Sequence, residues 1–222
     1  RQLGSPSNAC LIHDLPSRVS PAPLNRQADG DDERPLRLVY FGNLAEYGPM
    51  IEAALKLCEE RSDIELHVFG PKPHWSSGAI DHYRNRGRYH GSLPSDEMND
   101  RIGNFDAILV TMSFNETLKK RMMTSFPSKL IEEVQHGLPI IVWGPGYCSA
   151  VEWARSGDRA MTIPEPSAES LIAAIENRRN HNGNIDLTPY AKGSRLAAAE
   201  EFNPENIRKQ FRDVLNKALN KV

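Results

Sequence analysis

Cysteine is scarce in this chain, with three residues in 222, far apart at Cys10, Cys58 and Cys148. An odd number at such spacing gives neither a disulfide framework nor a zinc pattern and fits reduced thiols in a cytosolic protein. Long apolar runs are missing too. None approaches the roughly 18 residues of a membrane-spanning helix, and neither a signal peptide nor a transit pattern opens the chain. Positive charge is not in excess: 27 Lys and Arg face 29 Asp and Glu, for a formal net charge of −2. A nucleic-acid-coating protein would be strongly basic, so no nucleic-acid partner is expected. The chain opens at Arg1 rather than methionine, and is read as a fragment of a longer protein.

What is present falls into two parts. Residues 1–35 carry Pro6, Pro16, Pro21, Pro23 and Pro35 and an acidic run at 29–33. Proline at that density blocks helices and sheet interiors, so this part reads as a linker or wrapping arm with one short extended piece at 9–12. Residues 36–222 are regular. Apolar strands are expected at 36–41, 64–69, 88–90, 107–111, 139–143 and 159–163. Helices are expected from about 49, then at 95–102, 127–136, from 149, where Ser149 and Glu152 have capping-box spacing, and at about 167–178, 189–201 and 204–219. Alternating strands and helices, with strands that are unbroken apolar runs, predict an α/β fold: a doubly wound parallel sheet covered on both faces. Ligands in such folds bind beyond the carboxyl ends of the strands.

The stretch 126–141 carries the most chemistry. Pro127 suits a first helical position. Ser128 and Lys129 follow in the first turn, Glu132 lies one turn on, Gly137 ends the helix, and Pro139 leads into a strand. Amides and a cation at a helix start suit a phosphate. The bland alternative is an ordinary helix with a capping serine and an exposed Lys/Glu pair, and spacing alone leaves both open. The basic clusters at 119–121 and 84–88 lack the interleaved aromatics of a single-strand nucleic-acid surface. The seven histidines match no zinc spacing, and His67, inside a strand, reads as a core residue. Cys148 and Ser149 lack a nucleophile's setting, and Trp75 and Trp153 read as packing residues.

In its wider context the run from Phe126 to Ile141 resembles the donor-site helix and strand of glycosyltransferases of the GT-B fold, which have two Rossmann-like domains. It is most similar to the retaining group that builds bacterial surface polysaccharides (glycosyl transferases group 1, family 4-like). Leu38-Val-Tyr-Phe-Gly-Asn43, Leu66-His-Val-Phe-Gly-Pro71, Arg88-Tyr-His-Gly-Ser-Leu-Pro94 and the strand at 106–111 are similar to further segments of the donor domain, in the same order. The resemblance implies one half of a GT-B fold, whose missing N-terminal domain holds the acceptor. It implies that Glu132 binds ribose hydroxyls, and that Pro127, Ser128 and Lys129 at the helix start hold the distal phosphate. Gly42 and Asn43 would approach phosphates or sugar, and Gly70, His90, Gly91 and Leu93 would border the base. A nucleotide diphosphate sugar would be the substrate, with no cofactor and no metal, and the parent enzyme would be a hexosyltransferase acting on a glycan or lipid-linked acceptor. The isolated domain would be inactive. Its place would be the cytoplasm, with the inner membrane face open as a peripheral site. Two departures stand out. Thr124 occupies the position where relatives carry a sugar-contacting glutamate, and the segment 43–49 has no cation where relatives carry Arg and Lys. Lys119, Lys120 and Arg121 are the substitutes to consider, and Glu46 would oppose phosphate if it pointed inward. The alternatives are a non-catalytic nucleotide-sugar-binding module and half of a two-domain sugar-nucleotide epimerase.

Overall fold

Strands covered on both faces have no polar side to offer, and the five strands here are built that way. In this computed structural model, which describes residues 15–16, 34–71 and 73–219, Leu36–Phe41 (β1), Ile64–Phe69 (β2), Ala107–Thr111 (β3), Ile140–Trp143 (β4) and Met161–Ile163 (β5) form one sheet in the order β2-β1-β3-β4-β5. Every pairing is parallel. Side chains alternate between two cores. Leu38, Leu109, Ile141 and Trp143 pack with α1 (Leu44–Glu59), α2 (Ser77–Asn85) and α7 (Ala168–Glu176). Val39, Ile108, Val110, Ile140 and Val142 pack on the other face with α3 (Ser95–Ile102), α4 (Lys119–Thr124), α5 (Ser128–Glu133), α6 (Ser149–Arg155) and α8 (Thr188–Ala199). The expected doubly wound α/β sheet is therefore the observed one. The arm expected at 1–35, with its piece at 9–12, lies almost wholly outside the described residues.

The strand expected at 88–90 contracts to a bridge between Tyr89 and Val68. Three bonds hold it parallel to β2: the Val68 amide to the Arg88 carbonyl at 2.7 Å, the His90 amide to the Val68 carbonyl at 2.9 Å, and the Gly70 amide to the Gly91 carbonyl at 2.8 Å. The chain thus builds outward from β1 in one direction through β2 and 88–91, then crosses back to lay β3, β4 and β5 on the other side. Such a reversal opens a crevice at the strand carboxyl ends between β1 and β3.

Several expectations shift. α1 starts at Leu44, well before Pro49, because Asn43 accepts the Ala45 amide as N-cap and Leu44 is buried. Pro49 lies inside the helix, where it removes one backbone bond, and the Trp75 indole takes the neighbouring Gly48 carbonyl at 2.9 Å. Residues 44–49 are therefore the first turns of a helix, with Asn43 as its cap. α2 and α4 were not expected. Each buries one aromatic or thioether side chain, Tyr83 and Met122, too few for an apolar period. α6 has no capping box: the Ser149 hydroxyl donates instead to the Ser125 carbonyl at 2.8 Å, tying α6 to the segment before α5. β5 begins at Met161, since Asp158 at φ 49° and Arg159 close a turn back onto α6. α9 (Pro204–Leu219) runs as expected and exposes Phe211, Leu215 and Leu219. Among the described residues no helix is long and apolar enough to cross a membrane.

Gly70 and Gly42 fix how closely the first two strand ends approach. A β-carbon on Gly70 would sit 1.9 Å from the Gly42 carbonyl oxygen, a backbone atom that cannot step aside. Gly70→Ala is expected to destabilise the protein by about 3 kcal/mol, measured as a lowered urea midpoint with an unchanged slope.

Candidate functional site

The helix start that the sequence singled out sits beside the end of β1. Pro127 is the N-cap of α5, one position earlier than its sequence suggests, with extended geometry at φ −71° and ψ 113°. The first bond of the turn runs from the Leu130 amide to the Pro127 carbonyl at 3.0 Å. The amides of Ser128 and Lys129 precede it and have no acceptor within the helix. No side chain caps this end, so Ser128 is not the capping serine of the bland reading. Beyond Glu133 the helix tightens into a single 3-10 turn, Val134–His136, and stops at Gly137, whose φ of 66° is a left-handed geometry suited to glycine.

Lys129 joins this helix to β1. Its ammonium donates to the Phe41 carbonyl and lies 4.6 Å from the centroid of the Phe41 ring. The side chain is exposed, and partial desolvation of its ammonium against β1 lowers its pKa. Gly42 and Asn43 follow directly. Gly42 continues the pairing with β2 through its amide to the Phe69 carbonyl at 3.0 Å. Asn43 spends its side-chain oxygen on the α1 cap, so that oxygen is taken. Glu132 is half-buried one turn on from Lys129, and its charge acts on the His136 imidazole.

The second group of predicted residues gathers at the end of β2. Gly70, His90, Gly91 and Leu93 lie together through the bonds of the 88–91 segment. Gly91 adopts φ 71° and has open space around it. Leu93 is half-buried at the rim of the second core. His90 is more committed than expected. Its ring stacks on Phe69, with centroids 4.3 Å apart and planes 13° apart, and on His67 at 5.4 Å and 12°. Its Nε2 stands 3.1 Å from His67 Nδ1. His67 in turn is buried and meets Glu65 and Arg88 through Nε2, as a satisfied core histidine. The close approach of Gly70 to Gly42 joins the two groups.

Of the candidate cations on α4, Arg121 is spent on a carboxylate. Arg121 pairs with both carboxylate oxygens of Glu46 and also reaches Tyr47. Glu46 is therefore neutralised at the first turn of α1 rather than left to oppose an anion. Lys119 pairs with Glu116 at 3.2 Å and sits 4.7 Å from the Tyr147 ring centroid. Lys120 is exposed. The Thr124 hydroxyl donates to the Lys120 carbonyl at 2.8 Å, a bond within its own helix, and does not act as a carboxylate would. Among the described residues no cluster of His, Cys, Asp or Glu is placed to hold a metal. Cys148 is buried and its thiol is pushed up by desolvation, consistent with an inert packing residue.

Sequence reasoning missed Glu133. It is 2% exposed, and its Oε2 has no hydrogen-bond partner. Burial raises its pKa to about 8. Its position one turn on from the fully buried Leu130 was the available sign.

Burial, and then the neighbouring His67, hold the His90 imidazole down at about pKa 4. A depressed folded pKa means that its share of stability is fully present above the ordinary value of 6.5 and is lost as pH falls through about 4. The His90 ring resonances are expected to stay in the neutral form down to about pH 5 in an NMR titration; a midpoint above 6 contradicts the stacked, desolvated setting.

No protein-family model matches the chain, and no curated protein matches it. Solved structures do. HepE from Anabaena, in complex with UDP and glucose, superposes with a TM-score of 0.56 at 12% identity, over 82% of this chain and 48% of that one. A glycosyltransferase from Rickettsia africae gives 0.60 at 14% identity, over 85% and 49%. Sucrose-phosphate synthase from Thermosynechococcus elongatus gives 0.62 at 16%, over 90% and 49%. The chain spans about half the length of these structures. Likeness at such identities is a likeness of fold, and the fold is a Rossmann-like α/β sheet, one half of the GT-B arrangement of these glycosyltransferases.

Proposed function

We propose that this chain is the nucleotide-sugar donor domain of a retaining glycosyltransferase of the surface-polysaccharide type. One observation carries the reading: the Lys129 ammonium and the α5 start meet the end of β1 beside Gly42, at the point where the sheet reverses. That is where an α/β sheet accepts a ligand. Lys129 and the Ser128 and Lys129 amides would hold the distal phosphate of a nucleotide diphosphate sugar. Glu132, one turn on, would take the ribose hydroxyls. Gly70, His90, Gly91 and Leu93 would border the base through backbone and the outer side of the His90 stack. As the glycosidic bond breaks, the leaving diphosphate gains charge, and a fixed cation and fixed dipoles stabilise it more than they stabilise the bound substrate.

The acceptor, a glycan or a lipid-linked one, belongs in this reading to a second domain of a longer chain. The exposed apolar face of α9, with Phe211, Leu215 and Leu219, is where that domain would pack. The donor pool places the work in the cytoplasm, and a lipid-linked acceptor would bring it to the inner membrane face. A nucleotide-sugar-binding module without turnover is the second reading, favoured by Thr124, whose hydroxyl is bonded within α4.

Calorimetry of uridine and guanosine diphosphates with the wild type and Glu132→Ala tests the site. One nucleotide is expected to bind the wild type, and Glu132→Ala to weaken it by roughly tenfold to a hundredfold, the worth of hydrogen bonds to a charged group. Equal binding by the variant removes the ribose assignment, and no binding by the wild type removes the donor site altogether. Transfer of labelled sugar by the longer protein, against sugar release without acceptor modification, then separates a transferase from a module.

A further inference from the structure

Glu133 has no task in the site as described, yet it is the costliest side chain near it. A carboxyl at 2% exposure with one oxygen unpartnered forfeits hydration that only a hydrogen bond, a charge partner or a proton can offset. Lys129, one helical turn before it, is the charge that acts on it. The two form no ion pair, because the ammonium is drawn to the Phe41 carbonyl and ring. From the sheet, the titratable neighbour is Tyr40 of β1, whose phenol donates to the Asn43 carbonyl at 3.1 Å. Burial pushes that phenol well up, so it stays neutral at every pH considered below. Behind it on α1, Glu46 is paired with Arg121, and Tyr47 is raised by burial.

We propose that Glu133 is a proton-carrying positioning residue, a buried carboxyl that sets the net charge the Lys129 ammonium presents to an anionic ligand. This rests on the donor-site reading above. With its proton on, Glu133 leaves Lys129 as an uncompensated cation facing the end of β1, which suits a diphosphate. With its proton off, a carboxylate stands behind that cation and the pair is neutral. A diphosphate on Lys129 draws the ammonium outward and favours the protonated carboxyl, so binding takes up a proton wherever Glu133 is partly ionised.

Two measurements on the 222-residue chain test this. The first needs no ligand. A carboxyl raised from 4.5 to about 8 supports the fold fully below pH 4.5, and that support is lost as pH rises through about 8. Glu133→Gln keeps the shape and removes the titration. Its melting temperature is expected to match the wild type near pH 5 and to exceed it by about 3 °C or more at pH 9. A difference that does not grow with pH overturns the buried-proton assignment.

The second is uridine or guanosine diphosphate affinity between pH 7 and 8.5, above the last phosphate ionisation near 6. Wild-type affinity is expected to fall roughly tenfold, the scale of one unit charge a few ångströms away in a partly screened site. In Glu133→Gln the fall is expected to be under about twofold. Parallel pH profiles in the two proteins, with nucleotide bound by both, overturn this inference and leave the donor site standing. Absence of nucleotide binding in the wild type overturns the donor-site reading, and the role given to Lys129 and Glu133 falls with it.

Discussion

Two loops that cannot be pulled apart set the geometry of the candidate site. The Gly42 carbonyl occupies the place where a β-carbon of residue 70 would lie. This near-contact of backbones is possible because β1 and β2 run in register to their ends, Phe41 opposite Phe69. Gly42 then extends the pairing onto β2, and Gly70 extends it onto Gly91. Three loops end level, in a row along one edge of the sheet. Lys129 closes the row from the other side by bonding the last β1 carbonyl. Without the parallel register none of these groups would share an edge, since antiparallel neighbours send their loops to opposite ends.

Charge at that edge is handled in two ways. Glu46 and Arg121 meet near the surface, with half of the Arg121 side chain exposed. Such a pair adds little to stability, but it cancels a carboxylate that would repel an anion and it fixes α4 against α1. Lys129 and Glu133 are the opposite case. Glu133 is buried while Lys129, four positions earlier, is exposed, and desolvation lowers the lysine and raises the carboxyl. A dry setting makes each remaining charge act more strongly on a ligand than it would in water. The exposed pair thus cancels a surface carboxylate, while Glu133 keeps a buried one a turn on from Lys129.

Much of the fold was legible because strand burial writes itself as uninterrupted apolar residues, and β1 to β4 lie where those runs predict. The failures have physical causes. Pro49 looked like a helix start, but Asn43 offers a better cap and burial of Leu44 outweighs one lost bond. Ser149 and Glu152 have capping spacing, yet the serine found a stronger use in the Ser125 carbonyl, a residue distant in sequence. α2 and α4 bury too little to leave a period. At the site, the gathering of 70, 90, 91 and 93 was foreseeable from glycines that end strands. The capture of His90 by Phe69 and His67 was not, because it depends on a pairing between residues 68 and 89 that only the folded edge creates.

Glu132 and Glu133 show how far adjacent positions can diverge. A helix turns about 100° per residue, so neighbours in sequence face different surroundings. Glu132 is half-buried toward the rim, with His136 near it, where a carboxylate can meet ligand hydroxyls. Glu133 is buried at 2% exposure, where an ionised group is expensive. What it supplies is an exchangeable proton beside a lysine, a quantity that leucine or phenylalanine at the same position cannot provide. Burial favours the protonated form of Glu133, and environment is what sets apart neighbouring carboxyls given different tasks.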